Sequence, residues 1–355
     1  YDLVESESRK IIINLLLEED GITAEQLTED PTLKDKYFEQ ADREIRNNGY
    51  KIYSTIDPSL HHAIQNRVTE TQDQFGNTRT VTYTDDDGET QTIDHPTQVA
   101  GTLTENSTGK VLAFIGGRDY DYSEFNIAFN SRRSSGSVIK PLITYGPALD
   151  KNFITPATVI PDTELIVPSG STGTHNINNV GRTTNDWRDA RYWLQISQNI
   201  PNTKIYLGML EENINPGEYI RAMGIGPEAI SDDAFSYPST SLGGFDAGPT
   251  ATELAGAYSA IGNKGVFNEP YVIEKIEDGE GEVIFEHEPN PTQVWSETTN
   301  YLLYDMLRDV TTQGTGRAAL QYLNFNVDLA SKTGTTDETV DVWYAGVTPG
   351  VSLVT

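Results

Sequence analysis

Apolar residues recur at helical spacing twice near the start of the chain, over residues 11–19 and 37–46, with the turn-prone pair Asp30-Pro31 between them. A third helix is predicted from residue 58 to about residue 74. Asp57 is placed to cap it, Pro58 takes the first helical position, and Leu60, Ile64 and Val68 repeat at i, i+4 and i+8. From Thr78 the period switches to two. The runs 79–84 and 89–93 flank Asp85-Asp86-Asp87-Gly88, which reads as a hairpin turn, since the three aspartates lack the ligand spacing of a calcium loop. A second hairpin follows, 99–105 and 110–115, joined by Asn106-Ser107-Thr108-Gly109.

Residues 137–315 read as mostly helical, with long loops rich in Gly, Pro and Ser. Thr250 and Glu253 form a capping box ahead of the apolar run 254–261, which Gly262 stops. A longer helix is predicted over 297–312, with Tyr301, Leu302, Met306 and Val310 on one stripe and Gly314 beyond its end. Three strands close the chain: 327–334, 341–347 and 350–355. Strands at both ends of a helical block predict one sheet built from distant parts of the sequence, an α+β arrangement. A boundary near Asp94-His95-Pro96 divides the chain into a small unit, 1–96, and a larger one, 97–355.

Composition narrows the chemistry. The chain has no cysteine, which excludes disulfide staples, Cys-ligated zinc, iron–sulfur clusters and a cysteine nucleophile. Its formal net charge of -28 argues against nucleic acid or an anionic membrane surface as a direct partner. No apolar run reaches the roughly 20 residues needed to span a bilayer. The chain opens at Tyr1 without an initiator Met or a signal-peptide pattern, so a fragment or processed product is expected, with any membrane anchor upstream. The five histidines form no His-Glu-x-x-His pattern, no Gly-x-Ser-x-Gly elbow occurs, and Gly224-Ile225-Gly226 is too short for a nucleotide loop. No metal or cofactor is expected.

Three short elements remain, in order: Ser137-Val138-Ile139-Lys140, Ser197-Gln198-Asn199 and Lys332-Thr333-Gly334-Thr335. Singly they are weak. A chain of this length holds roughly one or two Ser-x-x-Lys matches by chance. Ser137 also suits the N-cap of a helix starting at Val138, and Ser197-Gln198-Asn199 fits ordinary cap and turn chemistry between helices. Lys-Thr-Gly-Thr is rarer, expected by chance on the order of once in ten such chains. Together and in this order the three match the motif set of acyl-serine enzymes that react with penicillin.

The residue types suit that chemistry. Lys140, at i+3 from Ser137, lies on the same helical face and can act as its base, provided burial and a second cation, Lys332, disfavour its charged form. Ser197 is placed to relay a proton to a leaving amine, and Asn199 to hold a substrate amide or the Lys140 side chain. Thr333 and Thr335 offer hydroxyls to a substrate carboxylate, beside the charge of Lys332. Gly334 permits close approach of a ligand or another backbone. The N–H groups of Ser137 and Thr335 are the oxyanion-hole candidates. The stretch 168–173 is a candidate gate over the site.

Nearly the whole chain resembles the class A penicillin-binding proteins of Gram-positive bacteria. Phe125-Asn126-Ile127-Ala128 with Arg132-Arg133 and Gly136-Ser137 is similar to the family's approach to its nucleophile. Ser241-Leu242-Gly243-Gly244 and Asn263-Lys264-Gly265 resemble its helical segment, and Asp341-Val342-Trp343-Tyr344-Ala345-Gly346 its final hairpin. Tyr53-Ser54-Thr55-Ile56-Asp57 and Gly109-Lys110-Val111-Leu112-Ala113 resemble its linker and first sheet strands.

The resemblance implies a central antiparallel sheet flanked by helices behind a small linker domain, on the extracytoplasmic face of the membrane. It implies a D,D-transpeptidase that joins peptidoglycan stem peptides, a D-Ala-D-Ala donor and an amine acceptor, through an acyl-serine at Ser137. β-Lactams would trap that intermediate, and cell-division or elongation proteins would be partners. Two departures are expected: no glycosyltransferase domain precedes the linker, and the chain stops at Thr355, where the family continues into another strand and a helix. Alternatives that keep the nucleophile are a D,D-carboxypeptidase or β-lactamase, for which no deacylating Glu stands out, and a silent sensor that is acylated without an acceptor.

Overall fold

The computed structural model describes every residue except 77, 86, 87 and 170–172, and also leaves aside the side chains of Ser169 and Glu338. The middle of the predicted Asp85–Gly88 turn and of the 168–173 gate therefore lies outside the described residues. The hairpin around the first is formed, with Arg79–Thr84 antiparallel to Thr90–His95.

The N-terminal helices are longer than their apolar spacing suggested. Helix α1 spans Asp2–Asp20 and buries Leu3, Ser8, Ile12, Leu16 and Leu17 on one face. It ends where Gly21 takes a left-handed φ of 67° and Ile22 N–H returns to Leu17 C=O. Asp30-Pro31 is not the turn expected between helices but the start of helix α2, Pro31–Asn47. The Asp30 carboxylate accepts from the N–H groups of Thr32 and Leu33, and Pro31 opens the helix where a missing N–H costs nothing. The same Asp-Pro start builds helix α3, Pro58–Glu70, which passes into a tighter turn over Gln72–Gln74.

The central sheet is assembled from strands on both sides of the helical block, as the pattern predicted. Strands β1 (Gly101–Glu105), β2 (Val111–Ile115), β3 (Ala330–Thr335), β4 (Val342–Val347) and β5 (Val351–Val354) form one antiparallel sheet in the order β3-β4-β5-β1-β2. Strand β3 begins later than the predicted residue 327. Between β2 and β3 lie helices α4 (Ala190–Gln195), α5 (Asn199–Glu211), α6 (Ala251–Gly262) and α7 (Glu297–Thr312).

Helix α6 is buried on nearly all sides and packs on β1 and β5. Its capping box is present in both directions: Glu253 N–H donates to Thr250 Oγ1 and Thr250 N–H donates to the Glu253 carboxylate. Helix α7 covers β3 with Thr299, Leu303, Met306, Leu307 and Val310. This is not the predicted stripe, because Tyr301 is exposed. A period of 3.6 starting from Met306 and Val310 leads back to Leu303 and Thr299 instead. Short antiparallel strand pairs also interrupt the stretch read as helical. Val159–Pro161 pairs with Trp187–Asp189, and Ile166–Ser169 with Gly173–Asn176.

A second apolar cluster joins α1 and α2, through Ile12, Leu17 and Tyr37, to Val272, Ile273 and Ile276. Strand Lys51–Ser54 pairs with Ile273–Glu277, which pairs in turn with Val283–Glu286. Residues far along the chain thus pack and pair with the N-terminal helices and strand. Thr55 joins this cluster to strand β2 by donating its side-chain hydroxyl to Val111 C=O at 2.8 Å, and donates its N–H to Val272 C=O at 2.8 Å.

Candidate active site

The segment that carries Ser137 is more irregular than a capped α-helix. Residues Gly136–Ile139 form a tight 3-10 turn, Pro141–Tyr145 a wider π turn, and Gly146–Asp150 a short α-helix. Pro141 has no N–H to continue a regular ladder, which accounts for the change of winding there. Ser137 is therefore inside the first turn rather than at an N-cap, a position that Ser135 takes. The side chains of Val138, Ile139, Leu142, Ile143 and Tyr145 are fully enclosed and fix the segment, while Ser137 stays partly open to solvent. Tyr258 Oη donates to Val138 C=O at 2.6 Å and pins the turn from α6.

All three sequence elements meet at this point. Lys140 and Lys332 are both fully buried, and Ser197 stands between them. The Lys140 amine donates to Ser197 C=O and to Asn199 Oδ1, both at 2.7 Å, with Gln198 C=O at 3.3 Å. Lys332 Nζ donates to Ser197 Oγ at 2.6 Å and to Thr333 C=O at 2.9 Å. The expected direct bond from Lys140 to Ser137 is not among the hydrogen bonds of the described residues. Lys140 points instead into the Ser197–Asn199 turn, next to the serine.

Ser197 adopts a left-handed φ of 61°, which for a non-glycine residue costs on the order of 1 kcal/mol. The turn is held by Ser197 N–H on Leu194 C=O and Gln198 N–H on Trp193 C=O, both at 3.0 Å. Asn199 opens α5 and donates its Nδ2 to Asn178 C=O at 2.8 Å.

Glycines bring the backbones this close. A Cβ on Gly334 would lie 2.7 Å from Ser135 O and 3.0 Å from Val138 N, so the glycine of the third element is needed for β3 to lie against the Ser137 segment. Gly136, at φ 52°, has the Thr335 backbone on its other side, where a Cβ would meet Thr335 O at 2.6 Å. Gly243, at φ 83°, lies directly on the Gly136 backbone. Gly243→Ala is expected to cost several kcal/mol in urea unfolding, through both backbone overlap and the positive φ, and to lower the acylated fraction in parallel. A loss under about 0.5 kcal/mol would show that the contact is dispensable.

Sequence reasoning had named Gly243 only as part of a similar stretch, and missed the role of Gly136. It also missed Thr315, whose Oγ1 lies 2.7 Å from Thr333 Oγ1 at the exposed edge of the site. Gly314 and Gly316 on either side are pressed against Gln195 O and Ser331 Oγ. Gly-Thr-Gly directly after a helix was the available signal. Thr335 is exposed at the mouth, and Thr333 is half-buried beside Lys332.

With no carboxylate paired to either lysine among the described residues, burial disfavours both charges. It lowers Lys332 to about 7, while burial followed by the nearby Lys332 holds Lys140 well below the ordinary lysine range. An unfolded chain keeps both lysines protonated up to about pH 10.4. Between about pH 7 and 10 the unfolded state therefore binds more protons, and stability rises with pH. Above about pH 10 the trend reverses, because buried Tyr145, Tyr206 and Tyr258 have raised pKa values and hold protons that the unfolded chain releases. In urea titrations at pH 7, 8 and 9 the stability should climb, and Lys332→Met should reduce the slope by up to about 1.4 kcal/mol per pH unit. Parallel slopes for the two proteins would contradict the burial effect.

Comparison with known proteins identifies the family and the fold. The sequence model described as the penicillin binding protein transpeptidase domain matches residues 99–350, most of the chain. The chain belongs to that family. Penicillin-binding protein 1A of Clostridium acetobutylicum is 31% identical over 333 residues, covering 89% of this chain and 39% of the relative. Penicillin-binding protein 1A of Clostridium perfringens strain 13 is 32% identical over 331 residues, covering 89% and 47%. Penicillin-binding protein 4 of Bacillus subtilis is 27% identical over 308 residues, covering 86% and 43%. The chain thus spans less than half the length of these relatives. Among solved structures, PonA1 of Mycobacterium tuberculosis superposes with a TM-score of 0.72 at 18% identity, over 99% of this chain and 81% of that one. Penicillin-binding protein 1A of Haemophilus influenzae gives 0.71 at 18% identity, over 97% and 70%. These likenesses establish the transpeptidase fold, α+β with a central antiparallel sheet, as the resemblance implied.

Proposed function

We propose that this chain is a serine D,D-transpeptidase of the class A type that cross-links peptidoglycan stem peptides. Two buried lysines meeting at one serine, beside a partly open Ser137, support the reading most directly. A neutral amine has two N–H donors and one lone pair. Of the three oxygens that face the Lys140 amine, Ser197 C=O and Asn199 Oδ1 at 2.7 Å take the two donors of the neutral form; its lone pair accepts the Ser137 proton as the longer 3.3 Å approach to Gln198 C=O opens.

Ser137 Oγ then attacks the carbonyl carbon of the penultimate D-alanine, and Lys140 takes its proton. The N–H groups of Ser137 and Thr335 receive the developing oxyanion; the backbone contact between Gly136 and Thr335 keeps the two donors adjacent. As the peptide C–N bond breaks, Ser197 passes a proton to the departing D-alanine and takes one from Lys332, whose Nζ donates to its Oγ. In the second half the acceptor amine returns a proton by the same route and Lys140 gives its proton back to Ser137. Lys332, Thr333 and Thr335 hold the D-alanine carboxylate, with Gly334 admitting the close packing. An amine from a second stem peptide attacks the acyl-serine and regenerates Ser137. β-Lactams enter the first half of this cycle and stop there.

Residues 1–96 form the linker unit in this reading and 97–355 the transpeptidase unit, with strands 273–277 and 283–286 reaching back to the linker. Among the described residues no helix is long and apolar enough to cross a membrane. The extracytoplasmic location, an upstream anchor, and cell-division or elongation partners belong to the proposal through the family. A thioester analogue of the stem peptide, incubated with a D-amino acid, should give the exchanged product. Hydrolysis alone, with no exchange at high acceptor concentration, would overturn the transferase reading.

A further inference from the structure

Asp162 is fully buried, directly after strand Val159–Pro161, and belongs to none of the three motif elements. Its carboxylate accepts four hydrogen bonds. Asn179 Nδ2 donates to Oδ1 at 2.8 Å; Thr184 N–H and Thr184 Oγ1, each at 2.8 Å, and Gln198 Nε2 at 3.1 Å donate to Oδ2. No lysine or arginine forms an ion pair with it among the described residues. Lys204, from the same side, sends its amine to Pro161 C=O, Thr163 C=O and Thr163 Oγ1 instead.

An interior carboxylate without a counter-ion is costly, so the groups it bonds indicate what it does. Gln198 is the middle residue of the Ser197–Asn199 turn. Asn179, oriented by its Nδ2 bond to Asp162, presents Oδ1 to the N–H groups of Asn199 at 3.1 Å and Ile200 at 3.0 Å, capping α5. One carboxylate therefore grips both the left-handed turn and the helix start that follows it. The three oxygens that face the Lys140 amine all belong to that turn. Burial works to raise the Asp162 pKa, and the donors more than reverse this, so the group stays ionised well into acid.

We infer that Asp162 is a positioning residue for acylation: through Gln198 and Asn179 its carboxylate holds the Ser197–Asn199 turn in the conformation that sets the Lys140 amine beside Ser137. The inference rests on the acyl-serine reading. Asp162→Asn keeps the volume but turns an amide donor toward donors. Gln198→Met removes the direct bond and leaves Asp162 with its three remaining donors.

The test separates the first-order acylation constant from the noncovalent dissociation constant with a fluorescent penicillin, and follows the end point by intact mass. In Asp162→Asn the acylation constant should fall about tenfold or more, with the dissociation constant within about twofold of the parent and an end point of one adduct per chain, as expected for a base displaced by a fraction of an ångström. Gln198→Met should show the same split, several-fold in size, and carries the test if Asp162→Asn does not fold. An acylation constant within about twofold of the parent in a folded variant overturns the inference. So does a loss confined to the end point, which marks a purely structural role. Absence of any adduct on the parent protein overturns the acyl-serine reading itself, a separate outcome.

Discussion

Lys140→Met is expected to slow acylation of Ser137 by benzylpenicillin about 10²–10⁴-fold, the usual worth of a positioned general base. Methionine fills a similar volume in a pocket that is fully closed to solvent. The substitution removes a buried amine that the fold disfavours in its charged form, and it strips the donor from Ser197 C=O and Asn199 Oδ1. These effects oppose each other in stability, since an unpaired buried acceptor costs about 1–3 kcal/mol while the desolvated amine is relieved. In rate they do not oppose, because no other described side chain offers a lone pair in that place except Lys332, whose bonds run to Ser197 Oγ and Thr333 C=O. Stopped-flow acylation beside a circular-dichroism melt separates the two readouts. A folded variant that retains more than a tenth of the parental rate would remove Lys140 from the role of base.

Much of this architecture was legible from local chemistry. The capping box at Thr250 and Glu253 and the Asp57-Pro58 start are short-range signals, set by side chains two or three residues from the N–H groups they satisfy. Asp30-Pro31 carries the same signal but also suits a turn, because the apolar spacing after it becomes regular only near Tyr37. The pairing of strand 51–54 with 273–277 left no such trace: antiparallel partners far apart in sequence share only a hydrophobic face.

The site divides along the same line. Ser137, Lys140, Ser197, Asn199 and the stretch 332–335 sit in short ordered motifs, so their residue types and spacing single them out as candidates. What brings them together does not show in a motif. Gly136 and Gly243 matter through a backbone contact across the fold, and Asp162 through a cluster that includes Asn179, Thr184 and Gln198. The winding of the nucleophile segment was also hidden. A serine followed by apolar residues and a proline fits a capped α-helix as well as the 3-10 and π turns observed, and only enclosure by the surrounding core selects between them.

The second large effect is complete loss of the adduct in Ser137→Ala. Ser137 is the partly exposed hydroxyl of the cluster, on a segment locked by enclosed neighbours, whereas Ser197 Oγ is taken by Lys332 at 2.6 Å. Removing one hydroxyl from a tight turn whose N-cap is Ser135 should leave folding within about 0.5 kcal/mol of the parent. The measurement is the intact mass of the parent protein and of Ser137→Ala after incubation with benzylpenicillin, with peptide mapping of any product. The parent should gain one penicilloyl group, mapped to Ser137, and the variant none. An adduct on the variant, or on Ser197 in the parent, would contradict the assignment of Ser137 as the nucleophile.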